Sequence, residues 1–411
     1  MNAVSLISEP ESQSWEAPEV YAIGSPITPA AGGSGPGGPP GGPPGGPGGG
    51  GGISGLNSAL NDWKNVVGIG PYMMTDFVAN STMIETRNPK YWASDERNPG
   101  NKLPYIDTLK TIYITDSSTS QAAFRTGKID MLANLSWQQA ASMKETNPEV
   151  MSRDTPGSGG FVFMRCDKEP FTDINVRKAM NMSVDRPAIA KGYFGGNVYW
   201  DAAPTGFSSP AFEGWAIPFV DWSRELHDEY TYNPDRAKQI LADAGYPDGF
   251  KTTCLAGSSG DLQLLQVLQS YWAAIGVDVT INTADMGTMM QMMMAKKHDP
   301  LTLMGGGEMP PQKGLTMLVS TEPTNATVNN DPVWDAMVAD ILKASSLEAA
   351  KKAVVDADQY MLAHHWLVLL FNVKNFCFWQ PYLKGYSGEQ QFNGGYARIW
   401  IDSALKKSLG R

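Results

Sequence analysis

The chain has 411 residues, of which 42% are hydrophobic and 18% charged, a balance that suits a globular protein of two or three domains with a real core. Its formal net charge of −10 excludes the basic face that follows nucleic-acid phosphates, and equally a polybasic mode of binding membrane surfaces. The longest apolar run, residues 366–371, is far short of the ~20 residues that a membrane helix needs.

No Lys or Arg precedes Lys64, so the start of the chain offers no charged leader region. Residues 1–31 carry acids and a short apolar patch around Val20–Ile23. From Gly32 to Gly52 every residue except Ser34 is Gly or Pro. That composition has almost nothing to bury, so residues 1–52 are expected to form a disordered or loosely ordered tail with a flexible connector.

Ordinary globular texture begins near Ile53. Gly68 and Gly70 mark a tight turn before a strand, and Met73 stands where a dinucleotide fingerprint would need its third glycine. Asp173 caps a helix that carries Arg177 at i+4, which reads as a surface ion pair of about 0.3–0.5 kcal/mol. Asn233, Pro234 and Asp235 give an N-cap, a first-turn proline and a first-turn acid. Ala237, Ile240, Leu241 and Ala244 then make one apolar stripe, and Gly245 closes it as a left-handed cap.

Leu264, Leu265, Leu268, Tyr271, Trp272 and Ile275 form a second helical stripe, stopped by Gly276. Val277, Val279 and Ile281 alternate with Asp278 and Thr280, the period of a half-buried strand. Asp331 and Pro332 open another helix, and one more from about Leu347 leads to the strand-like run Trp366–Phe371. Helices alternating with strands predict an α/β fold with a mainly parallel sheet.

Chemistry-bearing motifs are scarce. There is no Gly-x-Ser-x-Gly elbow, Walker sequence, HExxH or EF-hand loop, so no catalytic residue, metal site or cofactor is expected. Cys166, Cys254 and Cys377 allow one disulfide at most and fit no CxxC pattern. His364 and His365 are adjacent, so their side chains diverge and do not chelate as a pair. Met286, Met289, Met290 and Met293 recur at helical spacing, either as one buried face or as an adaptable cleft wall. Phe376, Phe378, Trp379, Tyr382 and Tyr386 read as core or as a ligand-stacking surface, and Trp137 is open between the same two readings.

Several ordered segments resemble one family. VGIGPYMMTDFV, NPKYW, LPYIDTLK and FRTGKIDM are similar to the middle of the substrate-binding proteins of peptide/nickel-type ABC importers, the extracellular solute-binding proteins of family 5. PFTDINVRKAMNMSVDRPAIAKGYFGG resembles that family's strongest signature, and NPDRAKQILADAGYPDGF and AAIGVDVTI resemble its next two landmarks. The ending, FWQPYLKGYSG through ARIWIDSALKK, extends the resemblance from about Val66 to Arg411.

The resemblance implies a two-lobed periplasmic-binding-protein-like fold of type II, with mixed sheets covered by helices. It places one lobe at residues 53–158 plus 375–411 and the other at 159–374, with the ligand between them and a hinged closure. The implied role is an extracytoplasmic receptor, in the periplasm or on the outer face of the membrane, that hands a small peptide-like or other solute to ABC permease subunits. It needs no cofactor and is not an enzyme. The same fold used as a surface scaffold or assembly subunit is the alternative.

The chain departs from the family in two places. The family's sizeable part ahead of the Gly-x-Gly-Pro-Tyr motif is absent or replaced by residues 1–52, where EVYAIGSPITP resembles the opening strand. Peptide-binding relatives carry a Trp and an Asp that holds the peptide's amino terminus; Gly306 and Glu308 stand there in this chain. The resemblance therefore nominates Met304, Gly306, Gly307 and Glu308 as ligand-binding residues, and the aromatic readings add Trp137, Phe376 and Trp379. Glu308→Gln is expected to weaken a cationic ligand by about 1.5–3 kcal/mol in titration calorimetry, the usual range for a hydrogen bond to a charged group. An unchanged affinity, or an anionic ligand, removes Glu308 from the site.

Overall fold

A computed structural model describes residues 3–8, 21–23 and 63–411, apart from positions 67, 80, 115, 159, 209–211, 259–260, 305–310 and 389–394. The chain divides into two compact units, Met1–Thr155 with Asn375–Arg411, and Pro156–Lys374.

In the first unit, β1 (Ala3–Ser8), β2 (Tyr21–Ile23), β3 (Tyr72–Val78), β4 (Thr82–Arg87) and β5 (Ile106–Ile112) form a sheet in the order β1-β2-β5-β4-β3. β1 pairs antiparallel to β5 from Val4 to Ser8, and β2 pairs parallel to β5. The expected tail differs from the structure at these two stretches. An unpaired edge of β5 offers backbone hydrogen bonds to any extended segment that reaches it.

A second sheet sets the strand Asn372–Trp379 between β6 (Met131–Leu135) and β7 (Met151–Ser158). Helices α1 (Ser117–Arg125) and α2 (Trp137–Thr146) flank β6, capped by Asp116 and by a Ser136/Gln139 capping box. The C-terminal helix Ser403–Ser408 is pinned by Lys406, whose Nζ lies 3.7 Å from buried Asp130, the carboxylate to which Tyr382 donates its hydroxyl.

The second unit holds β8 (Phe161–Met164), β9 (Phe250–Gly257), β10 (Val277–Ala284), β11 (Leu301–Met304) and β12 (Leu367–Leu369) in the order β10-β9-β11-β8-β12. β10, β9 and β11 are parallel, whereas β8 runs antiparallel to β11 and β12, so the sheet is mixed. Its side chains alternate between two cores. Val162, Met164, Cys254, Ala256, Leu303 and Val368 face α3 (Ile174–Met182), α4 (Arg186–Gly192), α6 (Pro234–Asp243) and α7 (Leu262–Ala274). Phe163, Leu255, Leu367 and Leu369 face α5 (Arg224–Tyr230), α8 (Met286–Met294), α9 (Pro311–Thr316), α10 (Pro332–Lys343) and α11 (Leu347–Ala363). The result is a helix–sheet–helix sandwich.

The stripes expected at 237–244 and 264–275 face the core as read, with Ala244 and Tyr271 half-buried and the other members buried, and Gly245 and Gly276 adopt φ of +94° and +88° beyond them. A Cβ at Gly249 would meet the Gly276 carbonyl oxygen at 1.9 Å, so the turns into β9 and β10 touch through bare backbone. Of the methionine stripe, Met289 and Met293 are buried, Met290 is half-buried, and Met286 lies exposed in the first turn of α8. Among the described residues no helix is long and apolar enough to cross a membrane.

Arg177 overturns its surface reading. It is buried, and donates to the carbonyls of Phe171 (2.6 Å), Thr172 (3.1 Å) and His364 (3.1 Å) rather than pairing with Asp173. Arg186, also buried, donates to the carbonyls of Leu369 (2.8 Å), Tyr230 (3.2 Å) and Asn181 (3.2 Å), while Asn181 Nδ2 donates to Leu367 (2.9 Å). Met164 N–H takes the Trp366 carbonyl, so along β12 the Leu367 and Leu369 carbonyls point away from β8. Asn181 and Arg186 thus close the open edge of the sheet.

Arg177→Ala and Arg186→Met are each expected to cost roughly 2–4 kcal/mol, because they orphan buried carbonyls. Urea unfolding reads the effect. A loss of only a few tenths of a kcal/mol for Arg177→Ala would restore the surface-pair reading.

Candidate functional site

The parallel strands of the second unit end together at Gly257, Ala284 and Met304. Open α/β sheets bind ligands outside such carboxyl ends, where chain direction leaves a crevice. Three half-buried apolar side chains collect there: Met304, Phe161 opposite it on β8, and Phe207. The Phe161 and Phe207 rings lie 5.1 Å apart, and Phe161 meets Phe163 edge-on at 5.3 Å.

Phe207 is held from two sides. A Cβ on Gly314 would meet its ring at 2.5 Å, so α9 passes it as bare backbone. Its N–H donates to Asp358 Oδ1 at 2.8 Å, and Gly206 crosses the same carboxylate so closely that a Cβ would sit 1.7 Å from Oδ2. Asp358 is buried on α11, and burial pushes its carboxyl up to about 7 against the backbone N–H groups of Phe207 and Ser208.

Two helices open beside this edge, and each is capped by its own acid. Asp261 accepts the Leu264 N–H of α7 at 3.0 Å, and Asp285 accepts the Thr288 N–H of α8 at 3.0 Å. The helix N-termini are therefore already neutralised, and the charges facing outward are carboxylates. This arrangement suits a ligand with an apolar body and a neutral or positive head.

A separate hollow of about 460 Å³ on α3, α5 and α6 includes Lys178 and Glu229 in its wall. Glu229 accepts from Lys178 Nζ at 2.5 Å and from the buried His365 Nε2 at 2.9 Å. Burial works against the Glu229 charge, but His365 and Lys178 hold its carboxyl below the usual range, and burial holds His365 below the usual imidazole range. The trio is a structural tie: a neutral imidazole and an ammonium share one carboxylate.

The nominated residues fall into different places. Met304 is at the carboxyl edge, whereas Gly306, Gly307 and Glu308 lie outside the described residues. Trp137 is the first helical residue of α2 in the first unit and packs half-buried beside Phe124 and Leu132. Phe376 is buried in that same cluster, with Lys144 Nζ over its ring at 5.4 Å. Trp379 is buried in another cluster, against Tyr382 and edge-on to Tyr386 at 5.0 Å. Both rings pack within the core of the first unit. Sequence reasoning missed Phe161 and Phe207. Gly160, immediately before Phe161, adopts φ of +91° and is the local signal that a turn opens the strand there.

The family model for bacterial extracellular solute-binding proteins, family 5 Middle, matches residues 54–326. The periplasmic oligopeptide-binding protein OppA of Haemophilus influenzae is 26% identical over 348 residues, covering 82% of this chain and 61% of that protein. Heme-binding protein A of the same organism is 29% identical over 231 residues, covering 53% and 38%. The chain thus spans less than two thirds of the length of either relative.

Among solved structures, the periplasmic binding protein DppA from Helicobacter pylori in complex with peptide STSA superposes with a TM-score of 0.67 at 19% identity, covering 81% of this chain and 63% of that one. Haemophilus influenzae OppA in complex with RPPGFSPFR gives 0.64 at 24% identity, covering 85% and 67%. These likenesses define the fold as that of the periplasmic peptide-binding proteins. The chain belongs to the bacterial extracellular solute-binding proteins of family 5.

The Asp358 clamp makes stability depend on pH. The unfolded carboxyl ionises near 4 and the folded one near 7. Ionisation therefore favours the unfolded chain, and this penalty grows from about pH 4 to about pH 7, reaching at most about 4 kcal/mol. Asp358→Asn is expected to flatten the fall of the urea midpoint across that window. An unchanged slope would mean that the carboxyl is ionised throughout.

Proposed function

We propose that the chain is an extracytoplasmic receptor that captures a small peptide-like or other solute and delivers it to the permease of an ABC importer. The observation that carries this reading is the carboxyl edge of the second unit. Phe161, Met304 and Phe207 form an apolar seat there, held by bonds to a buried carboxylate and by bare-backbone contact, in a chain of the solute-binding family. Apolar walls with few fixed polar groups are the usual make-up of a ligand pocket. Rigid support reduces the ordering cost of binding.

The proposed ligand has an apolar side chain for this seat and a neutral or cationic head, because acids cap both neighbouring helices. Peptides with a free amino terminus meet both demands. No step of the role requires a covalent change in the solute, and ATP hydrolysis belongs to other subunits of an importer.

A thermal-shift screen of the full chain against short peptides, amino-acid derivatives, haem and sugars tests the reading. A ligand at 100 times its dissociation constant is expected to stabilise the fold by about 2.7 kcal/mol. Met304→Ser is expected to weaken that ligand by roughly 1–2 kcal/mol through lost apolar burial. No shift with any class, together with concentration-dependent self-association, would overturn the receptor reading in favour of a scaffold.

A further inference from the structure

The first unit carries a separate hollow of about 330 Å³, lined by Asn98, Asn101, Tyr105 and Trp400. Its volume sits at the lower end of the roughly 300–1,000 Å³ typical of small-molecule sites. The wall is built on a buried charge. Asp95, 3% exposed, accepts from the Tyr105 hydroxyl at 2.5 Å, from Asn98 Nδ2 at 2.9 Å and from the Arg97 N–H at 3.0 Å. These bonds, foremost that from Tyr105, pull its carboxyl down to about 2, so the anchor is ionised at any working pH.

The anchor fixes which polar atoms remain for a ligand. Asn98 Nδ2 is committed to Asp95, so the amide cannot flip and its Oδ1 remains as an acceptor. Tyr105 donates to Asp95 and keeps a lone pair, approached by Asn101 Nδ2 only at 3.5 Å. The loop bearing both amides is closed by backbone bonds from Asp95 to Asn101 (2.9 Å) and from Asn101 to Asn98 (3.1 Å). Trp400, 42% exposed on its short strand, supplies a broad apolar face beside the phenol ring.

Among the described residues, the four that line the hollow carry no formal charge, and the charge behind the wall is paired, with Arg398 Nε 3.7 Å from Asp95 Oδ1. An ionic ligand would therefore find no counter-charge, and a purely apolar one would leave two side-chain amides unsatisfied. A hydroxylated ring satisfies both demands. Neighbouring hydroxyls each donate and accept, as side-chain amides do, and the ring's C–H face lies flat on an indole. We infer that this hollow is a binding site for a neutral pyranose ring, such as one residue of a glycan. The site stands on the first unit alone and does not depend on the receptor reading.

The test uses the full chain with methyl β-D-glucopyranoside, methyl β-D-galactopyranoside and N-acetylglucosamine at about 10 mM, read by saturation-transfer NMR and titration calorimetry. Transfer to at least one neutral sugar is expected, with glucuronate and glucosamine giving none. Trp400→Ala and Asn101→Ala should each lower affinity at least about tenfold, while Met304→Ser leaves it unchanged. Should Trp400→Ala fail to fold by circular dichroism, Asn101→Ala, on an exposed loop, carries the same expectation. No transfer from any neutral sugar would overturn the inference. So would a preference for a charged one, binding that survives Asn101→Ala, or binding lost in Met304→Ser.

Discussion

The second unit depends on guanidinium groups buried against backbone carbonyls. Arg186 has no carboxylate partner among the described residues; its donors go to carbonyls of β12, α3 and the end of α5, and its cation lies over the Tyr230 ring at 5.6 Å. Burial pulls it down to about 10, so it keeps its charge in the interior. Removing a cation from water is costly, and the cost is offset only because many donors find partners at once. An aliphatic side chain of the same size would fill the space and leave the outward carbonyls of β12 unmet. Arg177 and Asn181 do the same for the neighbouring backbone, which is why these polar residues recur along α3 and at the first residue of α4.

With its edge closed, the sheet is a rigid platform, and rigidity at its carboxyl end is what a binding seat requires. Phe207 comes from a loop without regular structure, yet it is fixed by the bare backbone of Gly314 on one side and the Asp358 carboxylate on the other. Asp95 in the first unit works by the same means, a buried carboxylate that orients an amide and a phenol. In both units a single buried carboxyl group organises irregular chain, because its two oxygens can accept several hydrogen bonds at once; Asp95 adds the strength of a charged acceptor. The difference lies in ionisation. Asp95 is held charged by side-chain donors, whereas Asp358 meets mainly desolvation and a pair of backbone donors.

What the sequence determined by itself is what depends on near neighbours. Asn233–Gly245 declares its cap, stripe and stop within a few turns of chain, Leu264–Gly276 declares its stripe and stop, and β10 declares its period over its first five residues. The order of these segments was enough to identify the family and its fold.

Only the tertiary structure decided where side chains of ambiguous pattern go. Asp173 and Arg177 at i,i+4 look alike on a surface and in a core; Arg177 is buried because His364, 187 residues away, brings its carbonyl there. Asp358 meets Phe207 across 151 residues, so the seat they build has no local signature. Phe376 and Trp379 show the converse case. Their aromatic character is legible, but which face of the strand meets the core is set by α1, α2 and the chain's last strand and helix. Backbone periodicity and capping act over one or two turns and can be read from sequence. Burial and hydrogen-bond partnership depend on which distant segments pack together, and that is fixed only when the chain folds.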